Sequence, residues 1–323
     1  MNGVLVTGAA GFIGAAVSQA LLDQGHRVYG IDSLNDYYDI RLKMHRLDGL
    51  RAHPGFQFDA VDIEKPEDTN RYLERHKVDV VYHLAARAGV RYSVDRPYVY
   101  QTSNVIGTLN VLEAMRYHGP KKAVLASSSS LYAGQSSPFC EDQPVDRPLS
   151  PYAASKKSME VLAHSYHHLH SLDLSILRYF TVYGPAGRPD MSPFRFTKWI
   201  SEGRPIQIYG DGEQRRDFTY ISDIVAGTLA AAKPLGYEIV NLGGGNRPCS
   251  LRKMIGLLEV LLDKEATLEF MPEMAGDMRE TASSIEKAKL LLGWEPKVSL
   301  EEGLAEAVRW HLSESEWLKD ISV

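Results

Sequence analysis

Short apolar runs alternate with amphipathic stretches through the first half of the chain. The runs at 3–7, 27–31, 57–61, 78–83, 122–127 and 174–179 are too short for helices and predict strands. Between them, residues 13–24, 66–75, 104–117 and 152–169 carry apolar side chains at three- and four-residue spacing, which predicts helices. Gly25 and Gly119 mark helix ends. Strand, helix, strand in series predicts parallel strands joined by right-handed crossovers. After residue 179 the pattern changes. Gly184, Pro185, Gly187, Pro189 and Pro193 predict an ordered loop over 183–193, followed by a helix at 196–202 and a strand at 206–209. The expected class is α/β: a doubly wound parallel sheet with a smaller α/β lobe. The sheet domain takes residues 1–180 with 217–240 returning to it; the lobe takes 181–216 and 241–323.

Length agrees with that division, since 323 residues suit two units of roughly 100–200 each. A formal charge of −5 gives a nucleic-acid partner no electrostatic support, so an anionic ligand must be held by a few local arginines. The two cysteines, Cys140 and Cys249, lie far apart and fit a reducing compartment. No apolar run reaches the roughly 18 residues of a membrane span, and Val4-Leu5-Val6 opens a strand with no basic, apolar leader before it. The expectation is a soluble, cytoplasmic protein with neither membrane nor nucleic acid as partner.

Candidate chemistry begins at Thr7-Gly8-Ala9-Ala10-Gly11-Phe12-Ile13-Gly14, between the first strand and the first helix. Glycines let the backbone approach a pyrophosphate, and the helix N-terminus offers it free N–H groups. The GxxGxxG spacing is one residue longer than the common dinucleotide fingerprint. Asp32 closes the second strand, where a carboxylate accepts from both ribose hydroxyls and repels a 2′-phosphate, which favours NAD over NADP. Asp62-Ile63 closes the third strand, where an acid can meet the adenine amino group. Leu84-Ala85-Ala86 closes the fourth, with side chains small enough for a cofactor to lie against the strand ends. The sheet expected is therefore of the Rossmann type.

Downstream, Tyr152-Ala153-Ala154-Ser155-Lys156 puts a phenol and an ammonium on one helix face about one turn apart. A nearby ammonium favours the phenolate, which can then take a proton from a substrate hydroxyl. Ser127-Ser128-Ser129-Ser130-Leu131-Tyr132 follows a strand and supplies hydroxyls for the reacting oxygen.

These motifs, in this order, resemble the extended short-chain dehydrogenase/reductase family of sugar-nucleotide epimerases, dehydratases and decarboxylases. Arg216-Asp217-Phe218-Thr219-Tyr220-Ile221-Ser222-Asp223 resembles the family's RDFxxVxD segment, and Leu292-Gly293-Trp294-Glu295-Pro296 its LGWxP signature. The resemblance implies Arg216 as a clamp on a nucleotide diphosphate and Arg279, in Gly276-Asp277-Met278-Arg279, as a second arginine on the diphosphate or the ribose. It implies Tyr152, Lys156 and Ser128 as catalytic residues. Around NAD it adds Asn35, Lys43, Asn104, Ser127 and Tyr179 to the residues above. It also implies a homodimer paired through the helices at 104–117 and 152–169.

The residues after the serine run separate the reactions. In the 4,6-dehydratases an Asp-Glu pair follows the catalytic Ser/Thr, and the uronate decarboxylases place a Glu at the position of Ser130; this chain has Ser129-Ser130. What remains can oxidise and re-reduce a sugar. The stretches 34–39, 88–93 (with Arg91) and 181–191 resemble those of UDP-glucuronate 4-epimerases. Ala186 stands where that group usually has Trp, and Ala133 replaces a usual Gly. The implied activity is C4 epimerisation of UDP-glucuronate to UDP-galacturonate through a transient 4-keto sugar, with Arg91, Ser128, Ser129, Thr181, Arg188, Arg216 and Arg279 holding the substrate. Arg188 suits a sugar carboxylate; alternatively it pairs with Asp190 and only shapes its loop. A neutral UDP-hexose 4-epimerase, a decarboxylase with a relocated acid and a non-catalytic dinucleotide-binding regulator are the competing readings. No metal site is expected: His164, His167, His168 and His170 crowd one helix without an acidic partner at ligand spacing. The acidic tail at 313–320 reads as a solvated helix.

Overall fold

A computed structural model describes residues 3–245, 247–273 and 278–323. The chain runs β1 (Gly3–Thr7), α1 (Phe12–Asp23), β2 (Val28–Asp32), α2 (Ile40–Arg51), β3 (Phe56–Ala60), α3 (Pro66–Arg75) and β4 (Val78–His83). Short helices α4 (Val90–Asp95) and α5 (Pro97–Tyr100) lead through a π-helical segment, Gln101–Ile106, into α6 (Gly107–His118). β5 (Lys122–Ser128), α7 (Pro151–His170) and β6 (Asp173–Tyr179) complete the first half. The order then is β7 (Thr181–Tyr183), α8 (Ser192–Ser201), β8 (Ile206–Tyr209), β9 (Arg215–Arg216), β10 (Phe218–Tyr220), α9 (Ile221–Ala230) and β11 (Tyr237–Leu242). Last come β12 (Cys249–Ser250), α10 (Leu251–Leu262), β13 (Leu268–Met271), α11 (Glu286–Leu292), α12 (Leu300–Ser313) and α13 (Ser315–Leu318).

The main sheet has seven parallel strands in the order β11-β6-β5-β4-β1-β2-β3. This is the Rossmann order extended by one strand. It reverses direction between β1 and β4, where a crevice opens at the strand ends. The near-continuous burial of β1, β2 and β6 follows from helices covering both faces. One apolar cluster, including Val17, Leu21, Ile224, Leu242 and Trp294, fills the face under α1, α9 and α11. Another, including Leu73, Leu112, Met115, Met159 and Ile176, fills the face under α3, α6 and α7. A separate core around Tyr183, Trp199, Ile208, Met254 and Leu304 forms the second lobe.

Three differences from the sequence expectations have physical causes. Helix α2 was not expected; its apolar residues Leu42, Leu47 and Leu50 are interspersed with basic ones, two of which, Lys43 and Arg46, are themselves buried. The helix expected at 104–117 starts earlier and is π-wound through 101–106. The tail is solvated on its charged face only; its other edge is docked. Leu318 and Ile321 are buried against Leu42 and Phe194, and Lys198 donates to the carbonyl oxygens of Leu318 and Lys319. Its charged side chains hide an apolar edge that the composition masked.

Candidate active site

At the reversal point the backbone itself builds the cleft. Gly8 sits at φ +72, and a Cβ there would lie 2.7 Å from the Ala85 amide nitrogen. A Cβ on Gly14 would lie 2.0 Å from the Gly8 carbonyl oxygen, so α1 packs on the loop only through glycine. Helix α1 begins at Gly11 with no side-chain cap and no acid in its first turn, leaving its N–H groups for an anion. The adjoining cleft, about 610 Å³, is lined among others by Gly8, Gly11, Asp32, Asn35, Lys43, Asp62, Ile63, Leu84, Ala85 and Ala86. Asp32 accepts from the Ala10 and Leu34 amides at 3.2 and 2.8 Å, with Lys43 Nζ 3.3 Å away. Glycine cradle, uncapped helix and rim carboxylate together fit a dinucleotide.

Other residues implied for this site face the core or pair with neighbouring residues. Phe12 is buried in the core, and the Tyr179 hydroxyl pairs with Thr228 at 2.9 Å. Asn104, on the π-helical turn, accepts from the Arg87 amide (2.8 Å) and donates to the Arg87 carbonyl (3.0 Å) and Ser155 Oγ (2.9 Å), so it anchors the chain just after β4. Ser127 donates to Glu160 at 2.7 Å. Ile13 lies at the start of α1 and packs against the core.

Helix α7 carries Tyr152 and Lys156. Ser150 caps it by accepting from the Ala153 amide, and Pro151 occupies its first turn, so the phenol enters the site one residue after a fixed helix start. Tyr152 is buried, and Ser128 at the end of β5 lies close enough to it to favour the phenolate. Ser129 follows in a 3-10 turn. Burial raises the Tyr152 pKa; the nearby Ser128 hydroxyl and Arg188 oppose that rise, and Asp190 adds to it. The ammonium of Lys156 donates to the Ala126 carbonyl at 2.6 Å, and burial lowers its pKa to about 8 while Glu160 pulls it upward. The protein groups alone thus leave the phenol protonated at neutral pH, the reverse of the lowering expected from the Tyr–Lys spacing, because burial outweighs the neighbouring charges.

Past β7, where Thr181 is half-buried, the Gly/Pro loop places Arg188 beside this tyrosine. Arg188 is not free: Nε and Nη2 fork onto Asp190 at 3.1 and 2.5 Å, and the Tyr37 hydroxyl reaches the same carboxylate at 3.5 Å. Arg91 lies over the Tyr209 ring at 4.6 Å. Arg216 bonds the Arg215 carbonyl, and the Arg215 amide bonds the Arg279 carbonyl, so Arg216 and Arg279 share one corner. The Arg279 side chain is 81 % exposed there; Gly276 and Asp277 of its motif lie outside the described residues. Sequence reasoning missed Arg195, which stacks on Trp199 at 4.3 Å, feels the charge of Arg91 and has a buried Nε without a partner. An arginine in the first turn of the helix after the Gly/Pro loop was the available signal. Among the described residues no group of three or more His, Cys, Asp or Glu side chains gathers as for a metal, and His164 and His167 instead pack on Tyr237.

Residues 4–243 match the family model described as the NAD dependent epimerase/dehydratase family, and the chain belongs to that family. It is 54 % identical to a UDP-glucuronate 4-epimerase of Thermodesulfobacterium geofontis over 323 residues, all of both chains. Among solved structures it is similar to the UDP-glucuronic acid 4-epimerase of Bacillus cereus in complex with UDP-glucuronic acid and NAD, with a TM-score of 0.91 and 40 % identity over 96 % of this chain and 99 % of that one. It is also similar to a UDP-glucose 4-epimerase of Thermotoga maritima, with a TM-score of 0.88 and 32 % identity over 97 % of this chain and 99 % of that one.

Proposed function

We propose that this chain is an NAD-dependent enzyme that interconverts UDP-glucuronate and UDP-galacturonate by inverting C4. The observation that carries the reading is the meeting of Tyr152, Ser128 and the Arg188–Asp190 pair beside Tyr37, which lines the dinucleotide cleft and reaches Asp190. Full-length similarity to a UDP-glucuronate 4-epimerase supports it. NAD, when bound, supplies reversible oxidation and re-reduction at C4, with none consumed, and its positive nicotinamide favours a phenolate.

The chain's own groups do the rest. Tyr152 takes the C4 hydroxyl proton and later returns it, acting as base and then acid. Ser128 hydrogen-bonds the reacting oxygen, and Lys156, one turn further along the same helix and anchored to the Ala126 carbonyl, favours the phenolate. Gly8, Gly11, Gly14, Asp32 and the ends of β3 and β4 hold the cofactor; Arg91, Arg216 and Arg279 hold the diphosphate, with Arg195 beside them. Ser129 and Thr181 contact the sugar. The unpaired Nη1 edge of Arg188 grips its carboxylate while Asp190 holds the opposite edge. Fixing that carboxylate also keeps its bond to C5 out of line with the C4 ketone, which suppresses loss of CO₂. In this reading residues 1–180 with 217–240 carry the cofactor, and 181–216 with 241–323 carry the UDP-sugar.

The exposed apolar side chains Ile106, Tyr117, Val161 and Leu169 on the α6 and α7 segments favour a homodimer formed through those helices. No helix among the described residues is long and apolar enough to cross a membrane, and Cys140 and Cys249 are both free, which favours a cytoplasmic setting. The test is incubation with UDP-glucuronate and, separately, UDP-glucose, with products identified by NMR. Conversion of UDP-glucuronate to UDP-galacturonate is expected; turnover of UDP-glucose alone, or release of a UDP-pentose as main product, overturns the reading.

A further inference from the structure

Helix α2 buries an arginine that the chemistry above does not use. Arg46 is 8 % exposed, and among the described residues no carboxylate pairs with it. All five of its N–H donors go to neutral oxygens. Nε and Nη2 donate to the Ala186 carbonyl at 3.0 and 2.7 Å, and Nη2 donates also to the Gly187 carbonyl at 3.0 Å. Nη1 donates to the Ala10 carbonyl at 3.2 Å and the Tyr38 hydroxyl at 2.7 Å. An apolar side chain of similar length would fill this space without desolvating a charge, so packing alone does not call for arginine.

What the guanidinium adds is a bridge between two loops. Ala10 belongs to the glycine loop, and its amide is the one that donates to Asp32. Ala186 and Gly187 lead directly into Arg188. Ala186 stands at φ +51, a left-handed conformation that a side chain disfavours, and Arg46 holds its carbonyl from two nitrogens. We infer that Arg46 is a positioning residue that couples the dinucleotide loop to the carboxylate-gripping loop and so sets the preference for an acidic sugar. The inference rests on the uronate reading above. Cofactor and sugar then stabilise each other's loop through one side chain.

The experiment uses full-length, NAD-loaded protein and Arg46→Lys, whose single ammonium cannot span both loops. For the variant, KM for UDP-glucuronate is expected to rise about 10-fold or more, the scale of lost charged hydrogen bonds, with kcat changed less than about threefold. The dissociation constant for UDP-glucose, by titration calorimetry, and the bound NAD content should stay near wild type. Adding Ala186→Gly, which removes the cost of the positive φ, should restore part of the lost KM; general loosening of the fold would not be repaired that way. Tyr38→Phe removes one acceptor and should give the same split at about threefold, and it decides the matter if Arg46→Lys does not fold. Unchanged uronate KM, equal weakening of both sugars, or loss confined to NAD overturns the coupling. A wild-type protein inert on UDP-glucuronate overturns instead the functional reading beneath it.

Discussion

Two arginine–carboxylate forks flank the candidate catalytic helix, and they are built alike but placed differently. Arg178 on β6 pairs with Glu160 on α7 at 2.9 and 2.8 Å, with both side chains 1 % exposed. Arg188 pairs with Asp190 at 3.1 and 2.5 Å beside Tyr152, with side chains 23 % and 38 % exposed. The inner fork is closed on every side: Glu160 also accepts from Ser127, and Arg178 also donates to the Tyr132 hydroxyl. The outer fork leaves one guanidinium edge unused. Burial makes the first an obligate part of the fold, because either charge alone would be stranded in a dry core. Exposure makes the second adjustable, so it can serve a ligand.

The strongest way to break this contrast is Glu160→Leu, which strands Arg178. Unfolding by denaturant should show a loss of roughly 3–5 kcal/mol, with activity following stability. An unchanged midpoint would mean the inner fork is not obligate. Next is Tyr152→Phe, on the same helix but in the field of the outer fork. Epimerisation should fall by a factor of about 100 or more while thermal unfolding and NAD content stay near wild type; near-normal turnover would remove Tyr152 from its role.

Arg188→Ala should show the opposite balance from Glu160→Leu. Stability should change by less than about 1 kcal/mol, as for an exposed pair. Turnover of UDP-glucuronate should drop roughly 10- to 100-fold, and UDP-glucose should suffer much less. Equal losses on both sugars would show that Arg188 only shapes its loop. The smallest effect is on pH dependence. Asp190 raises the Tyr152 pKa and Arg188 lowers it. Asp190→Asn therefore lowers that pKa, the phenolate forms at lower pH, and the rising limb of kcat/KM moves toward acid. Arg188→Ala moves it toward alkali. Shifts in the same direction for both variants would contradict the geometry.

The inner and outer forks were not equally legible in the sequence. The glycine loop, Asp32 and Tyr152/Lys156 lie in short local motifs, each fixed by one turn or one helix, and Gly8, Gly11 and Asp32 line one cleft. The pairing of Arg188 with Asp190 was visible as an alternative because the two are two residues apart. Glu160–Arg178 joins a helix to a strand and carried no local pattern. Arg46 was the least visible, since apart from the Tyr38 hydroxyl its partners are backbone carbonyls up to 141 residues away, and any residue type has those. Lys156 shows a further limit: its spacing to Tyr152 was correct, yet burial, which a spacing does not report, governs both pKa values.

The π-helical turn at Gln101–Ile106 gives this architecture a tolerance in chain length. A π turn holds about one residue more than an α turn, and an α-helix advances about 100° per residue. Deleting one residue between 101 and 106 would let the segment rewind as α-helix while the turns on either side keep their phase. The contacts at stake would be local ones, those of Asn104 to Arg87 and Ser155. The same single-codon deletion in the α-wound stretch of α6 would instead turn everything on one side of the cut by about 100° against the other.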